Sequence, residues 1–316
     1  MKLKKPKFWD YKRPNYISNL LLPLSKLLEF ALKFKKRNKK KIGSTKTVCI
    51  GNIYLGGTGK TSMSIEIKKI LDNLNFKACF IKKQYSNQLD EQKLLNKSGK
   101  TFINKSRSQA LIEANKENYE IAIFDDGLQD GEVAYDLSFV CFNNKNFIGN
   151  SRTIPAGPLR EPLRNIKSYK NVFFVGNDEN TENLEKYLKK FDMNLNFYNS
   201  KYKILNLSKF NLNDQFIVFS GIGNHYTFVE MLQKNKFKIF KDFEFPDHYN
   251  YNEVDINKIK KFAEQNNSKI ITTHKDYLRL EERINASINF VEIEIEITQL
   301  ENLKKKLIDL IPDENN

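Results

Sequence analysis

Between Val48 and Thr61 the chain reads VCIGNIYLGGTGKT, an apolar strand-like run feeding a glycine-rich loop that ends in Lys60 and Thr61. Backbone N–H groups around Gly56, Gly57, Thr58 and Gly59 can converge on an anion only where side chains do not obstruct. The positive end of a following helix adds to the attraction. Lys60 is then expected to reach the β- and γ-phosphates of a bound ATP as a point charge, and the Thr61 hydroxyl to help hold the Mg2+ that bridges them. The strict spacing G-x-x-x-x-G-K-[ST] wants glycine where this chain has Tyr54, so the turning is expected of Gly56 and Gly57.

At 316 residues there is room for about two domains. Most of the net charge of +15 sits at the front, where residues 1–41 hold fourteen Lys/Arg against only Asp10 and Glu29. A nucleic-acid protein would more often spread that charge over its working face, so no nucleic-acid partner is expected. Cys49, Cys79 and Cys141 are widely separated, each inside an apolar run and without C-x-x-C or Cys/His spacing. They read as buried, reduced thiols in a reducing compartment, not as zinc ligands.

From Ile17 to Phe34 the segment ISNLLLPLSKLLEFALKF is strongly apolar, yet Pro23, Lys26 and Glu29 interrupt it before it is long enough to span a bilayer. On a helical wheel Ser18, Ser25, Glu29 and Lys33 share a narrow polar stripe, with leucines and Phe30 or Phe34 over the rest. This is the pattern of a helix lying in a membrane interface. Lysines flank it on both sides and suit an anionic leaflet, and Trp9, Tyr11 and Tyr16 suit the headgroup level. A helix packed on the protein's own core is the competing reading.

After the loop a helix is expected over 60–75, then a strand KACFI at 77–81. Further apolar runs follow at TFIN, EIAIF, LSFVCF and NVFFV, with a helix from Ser106 to Lys116. This alternation predicts an α/β fold: a P-loop NTPase-like, mostly parallel sheet flanked by helices. From about 206 a second set begins with FIVFSGIGN, a helix near 225–236, KIITTHKD, and NFVEIEIEI alternating like one half-exposed strand. The expected division is a basic amphipathic segment at 1–41, a nucleotide-binding domain at 42–205 and a smaller α/β domain at 206–316.

EIAIFDDGLQD places Asp125 and Asp126 directly after a buried-looking strand, where a nucleotide-binding protein needs its second magnesium-handling position. Together with Lys60 and Thr61 they predict a cation site. A turn formed by Asp126 and Gly127 is the structural alternative.

LLLPLSKL, GNIYLGGTGKT, FDDGLQD, IPAGPLREPL at 154–163, SGIGN at 220–224, FPDHY at 245–249 and THKDY at 273–277 recur in one order. With them the chain resembles the tetraacyldisaccharide 4′-kinase family over nearly its whole length. The resemblance implies transfer of the γ-phosphate of ATP to the 4′-hydroxyl of an acylated glucosamine disaccharide phosphate lipid in lipid A synthesis. It also implies a peripheral place on the cytoplasmic face of the inner membrane, and a monomer is expected there. Family members carry Ser-Arg-Gly-Tyr and Gly-Asp-Glu-Pro elements where this chain has Lys82-Lys83-Gln84-Tyr85 and Leu89-Asp90-Glu91-Gln92. By that likeness Asp90 is the candidate base, His248 its orienting partner, and Glu91, Arg107 and Glu161 candidate substrate or phosphate residues. Asp130 and His274 stand where the family has a histidine and an acid. A membrane-associated P-loop ATPase that switches a partner protein would use the same loop, but would hydrolyse ATP without lipid.

Overall fold

The glycine-rich loop follows a central buried strand in the computed structural model, which describes residues 5–34, 39–85, 88–145, 147–176, 181–280 and 287–311. The chain forms two compact units. The larger holds Lys5–Gln84, Leu95–Lys201 and the chain from Ile297 on, and the smaller holds Tyr85–Leu94 and Tyr202–Glu296. This differs from a division at 42–205 and 206–316. Asp90 is tied to residues of the smaller unit, Arg279 and His248, while Thr298 bonds Asn199 inside the larger one.

In the larger unit the strands are β1 (Lys46–Gly51), β2 (Ala78–Lys83), β3 (Thr101–Asn104), β4 (Ile121–Asp125), β5 (Leu137–Asn143), β6 (Asn171–Val175) and β7 (Asn196–Ile204). They lie in the order β7-β6-β5-β1-β4-β2-β3, and neighbours pair in parallel. Parallel strands covered on both faces read as continuous apolar runs, and β4 and β6 are buried at every position. The central position of β1, between β4 and β5, brings the loop after β1 beside the carboxyl end of β4, with Ile50 opposite Asp125. Ligands of open α/β sheets bind beyond such strand ends.

Among the described residues five α-helices belong to this unit by sequence position: α1 (Tyr16–Phe34), α2 (Lys60–Asn73), α4 (Arg107–Lys116), α5 (Glu182–Lys189) and a last helix at Leu300–Ile308, while α3 (Leu89–Ser98) carries the chain between the units. Helix α2 ends short of the expected residue 75, because Asn75 takes a left-handed φ of 63°. Helix α4 starts one residue late, with Ser106 as its N-cap accepting from the Gln109 N–H. All three cysteines are free and buried.

Helix α1 is amphipathic in the reverse sense. Its polar stripe faces the protein: Ser18 and Ser25 are fully buried, donating to the carbonyls of Ala156 (2.6 Å) and Thr153 (2.9 Å). Glu29 accepts from the Thr153 hydroxyl at 2.7 Å. Ile17, Leu20, Leu24, Leu27, Leu28 and Phe30 are exposed instead. Trp9 does not lie free at a headgroup level as expected: it is buried, and its indole donates to the Pro155 carbonyl, whereas Tyr11 and Tyr16 are exposed. The side chains of Lys33 and Phe34 and the basic residues 35–38 lie outside the described residues, and no described helix is long and apolar enough to cross a membrane.

The smaller unit holds β8 (Gln215–Ser220), β9 (Lys238–Glu244), β10 (Lys269–Thr273) and β11 (Ile288–Val291) in the parallel order β11-β10-β8-β9. Alternate residues of β8 serve opposite faces: Phe216 and Val218 pack with α6 (His225–Lys234), and Ile217 and Phe219 with α7 (Glu253–Gln265). NFVEIEIEI is not one strand but two, β11 and β12 (Ile293–Ile297). The Glu292 backbone between them is drawn off to Leu205 and Asn206.

Candidate active site

The loop is held open by its own neighbours. The Asn52 amide donates to the carbonyls of Tyr54 (2.6 Å) and Gly56 (3.2 Å) and to the Thr58 hydroxyl (2.9 Å). The positive φ values fall on Gly56 (137°) and Gly59 (79°), so Gly59 rather than Gly57 makes the second turn. Gly59 is the N-cap of α2, and no side chain caps the helix. Its first N–H groups therefore face outward at the positive end of a 14-residue helix, an arrangement that fits a phosphate. Tyr54, in the place of the missing glycine, is buried, with its hydroxyl bonded to Asp10 and to Lys5 Nζ.

At the end of β4 the two acidic residues have different surroundings. Asp125 is fully buried; it accepts from Thr61 Oγ1 and Ser64 Oγ, each at 3.3 Å, and pairs with Lys82 Nζ at 2.6 Å. Asp126 takes a left-handed φ of 58°, which aims its carboxylate at Arg160 Nη1 (2.8 Å) and Lys60 Nζ (3.7 Å). Burial pushes the Asp126 carboxyl up, but Lys60, Arg160 and Lys82 outweigh it and hold the group down to about 2. Asp126 is an ionised carboxylate beside the Lys60 ammonium.

Arg107 is buried, bonding Asp130 (3.0 Å) and the Asp126 carbonyl (2.7 Å), so Asp130 supplies the counter-charge that fixes it. Glu161 accepts from Gln129 (2.9 Å), Asn165 (2.9 Å) and the Tyr169 hydroxyl (2.8 Å). Residue-by-residue reading passed over Arg160 and Asn52. Arg160 stands beside Glu161 inside PAGPLREPL, and that adjacency was the available signal.

The smaller unit holds a second cluster. Asp90 is buried and held at both oxygens: Oδ1 is 3.2 Å from His248 Nδ1, and Oδ2 is 2.6 Å from Arg279 Nη2. Burial pushes this carboxyl up, yet the His248 hydrogen bond and the Arg279 charge bring it down to about 2. Arg279 also donates to Asp276 (2.7 Å) and the Gly221 carbonyl (2.7 Å), which fixes its plane. His248, at φ 54°, is tied through its N–H to the same Gly221 carbonyl. Glu91 is buried and paired with Lys275 at 3.4 Å, and the His274 ring stacks on Phe290. Nothing in the sequence singled out Arg279.

The donor set beside Lys60 is hard oxygen: the Thr61 hydroxyl and two carboxylates. No group of three or more His, Cys, Asp or Glu among the described residues could hold a metal ion by itself. Few protein ligands alongside phosphate oxygens is how Mg2+ is usually bound, so the residues fit that ion.

Comparison with known proteins points to one family. The family described as tetraacyldisaccharide-1-P 4′-kinase (LpxK) matches residues 17–312. The chain is 53% identical to the tetraacyldisaccharide 4′-kinase of Pelagibacter ubique, covering 98% of this chain and 99% of the relative. The corresponding protein of Rickettsia canadensis is 31% identical, with 97% of each chain covered. Among solved structures, LpxK from Aquifex aeolicus in complex with ATP superposes with a TM-score of 0.69 at 22% identity, over 93% of this chain and 99% of that one, a likeness of fold.

Proposed function

The chain belongs to the tetraacyldisaccharide-1-P 4′-kinase family, and from that membership we propose how its residues transfer the γ-phosphate of ATP to the 4′-hydroxyl of tetraacyldisaccharide 1-phosphate. The observation that carries the reading is the uncapped N-terminus of α2, with Lys60 and Thr61 in its first turn and Asp126 beside Lys60.

Phosphoryl transfer asks for position and charge more than for covalent chemistry. Backbone N–H groups of residues 56–61 grip the phosphates, and Lys60 turns from Asp126 to the β- and γ-oxygens. When bound, Mg2+ would supply neutralising charge for those oxygens. Thr61 and the Asp126 carboxylate would hold that ion, and Arg160 stands ready to meet charge that builds on the transferred group. Asp90, ionised and oriented by His248, accepts the proton of the sugar hydroxyl. A loose transition state leaves that proton in place until late, so a weak base suffices. Arg107 fixes the Asp126 backbone, and Glu161 and Glu91 order the surrounding loops toward the substrate.

The lipid acceptor gives α1 its role. Its exposed leucines enter the bilayer interface while Lys7, Lys12 and Arg13, also exposed, meet anionic headgroups. On this reading the protein works, as a monomer, on the cytoplasmic face of the inner membrane. Incubation with Mg-ATP and the disaccharide 1-phosphate should yield the bisphosphorylated lipid, and Lys60→Ala should abolish it. ATP hydrolysis without phosphorylated lipid would favour a switch ATPase instead.

A further inference from the structure

Lys82 is a fully buried lysine at the carboxyl end of β2. Parallel pairing sets Ile81 opposite Phe124, so the next residues on the two strands, Lys82 and Asp125, emerge side by side where the sheet ends. Lys82 Nζ lies 2.6 Å from Asp125 Oδ2, the oxygen that also accepts from Thr61; Oδ1 takes the Ser64 hydroxyl. A carboxylate wholly removed from water needs a compensating charge, and a tethered ammonium at this distance is one that does not diffuse away.

The other cations of the site are placed differently. The side chains of Lys60 and Arg160 are 12% and 23% exposed and can swing from Asp126 to a phosphate, whereas that of Lys82 is 1% exposed and has no such freedom. When a nucleotide draws Lys60 and Arg160 away, Asp126 is released for a cation, but Asp125 is still paired.

We propose that Lys82 is the resident counter-cation of Asp125, that Asp125 in consequence acts as a positioning residue for Thr61 and Ser64, and that a divalent cation is left to Thr61 and Asp126. The proposal rests on the nucleotide-binding reading of the loop.

Binding of Mn2+ alone to the nucleotide-free protein, followed by electron paramagnetic resonance, tests it without any turnover. Lys82→Met should tighten Mn2+ binding about tenfold or more by freeing a buried carboxylate as a ligand, since affinity follows the charge of the donor set. Adding Asp125→Asn to that variant should return binding to the wild-type level. An unchanged Mn2+ affinity in folded Lys82→Met overturns the proposal.

If the single variant does not fold, the neutral pair Lys82→Met/Asp125→Asn removes both charges at little cost in stability. It should bind Mn2+-ATP within about threefold of wild type while Asp126→Asn loses about tenfold, on the same donor-charge reasoning. Equal losses in the two proteins overturn the proposal. Failure of the kinase reading would show separately, as wild-type protein that transfers no phosphate to lipid.

Discussion

Arg160 Nη1 lies 2.8 Å from Asp126 Oδ1 while Lys60 Nζ approaches the other oxygen at 3.7 Å, so one carboxylate holds two partly exposed cations in place before any phosphate arrives. The Arg160 backbone N–H is fixed to the Ile53 carbonyl at 2.7 Å, which ties the arginine to the root of the loop. A cation on so anchored a backbone, meeting phosphoryl charge only as it develops, would be worth much more in the transition state than in the ground state.

Arg160→Met should therefore lower kcat by about 100-fold, with the KM for ATP changed far less. Steady-state kinetics on detergent-dispersed substrate gives both numbers. A fall confined to KM would make Arg160 a ground-state phosphate clamp instead.

Asp90 carries a pH signature. Its carboxyl is depressed from 3.8 to about 2, so its pairing stabilises the fold fully above the unfolded value, and the contribution is lost as pH falls from about 4 through about 2. The group is nearly fully buried, and a shift of this size corresponds to roughly 2 kcal/mol. Urea denaturation at pH 5 and at pH 2.5 should show wild type losing most of that increment relative to Asp90→Asn. Parallel losses in the two proteins would remove the pairing from the stability balance. At neutral pH Asp90→Asn should be folded and without kinase activity.

The exposed face of α1 predicts the membrane dependence. Replacing Leu20, Leu24 and Leu27, all well exposed, by Gln should weaken binding to anionic vesicles by about 1,000-fold, from roughly 1.5 kcal/mol per leucine buried in the interface. Thermal stability should hardly change, since these side chains touch little protein. Flotation of vesicles with the variant still attached would remove α1 as the anchor.

Much was legible in the chain itself. VCIGN, KACFI, EIAIF, LSFVCF and NVFFV each form a strand because near-continuous runs of Val, Ile and Phe suit only a position covered on both faces. The loop was legible because glycine-rich backbone followed by Lys and Thr has few other uses. Strands β7 and β9 were not. Their residues alternate without a clean apolar face, and β9 lies at the edge of its sheet. The stripe of Ser18, Ser25 and Glu29 was visible on a wheel, but a wheel does not say which side meets the protein. The carbonyls of Thr153 and Ala156, more than a hundred residues on, settle that.

Sequence by itself determined the class of fold, the glycine-rich loop and the two acids at the end of β4, since each depends on residues adjacent in the chain and on backbone chemistry that acts over a few ångströms. Tertiary structure decided which charge meets which. Asp90 finds His248 and Arg279 across 158 and 189 residues of chain, and Lys82 reaches Asp125 only because β2 is paired beside β4. Electrostatic partners are chosen by distance in space, and folding brings together residues that chain order leaves far apart.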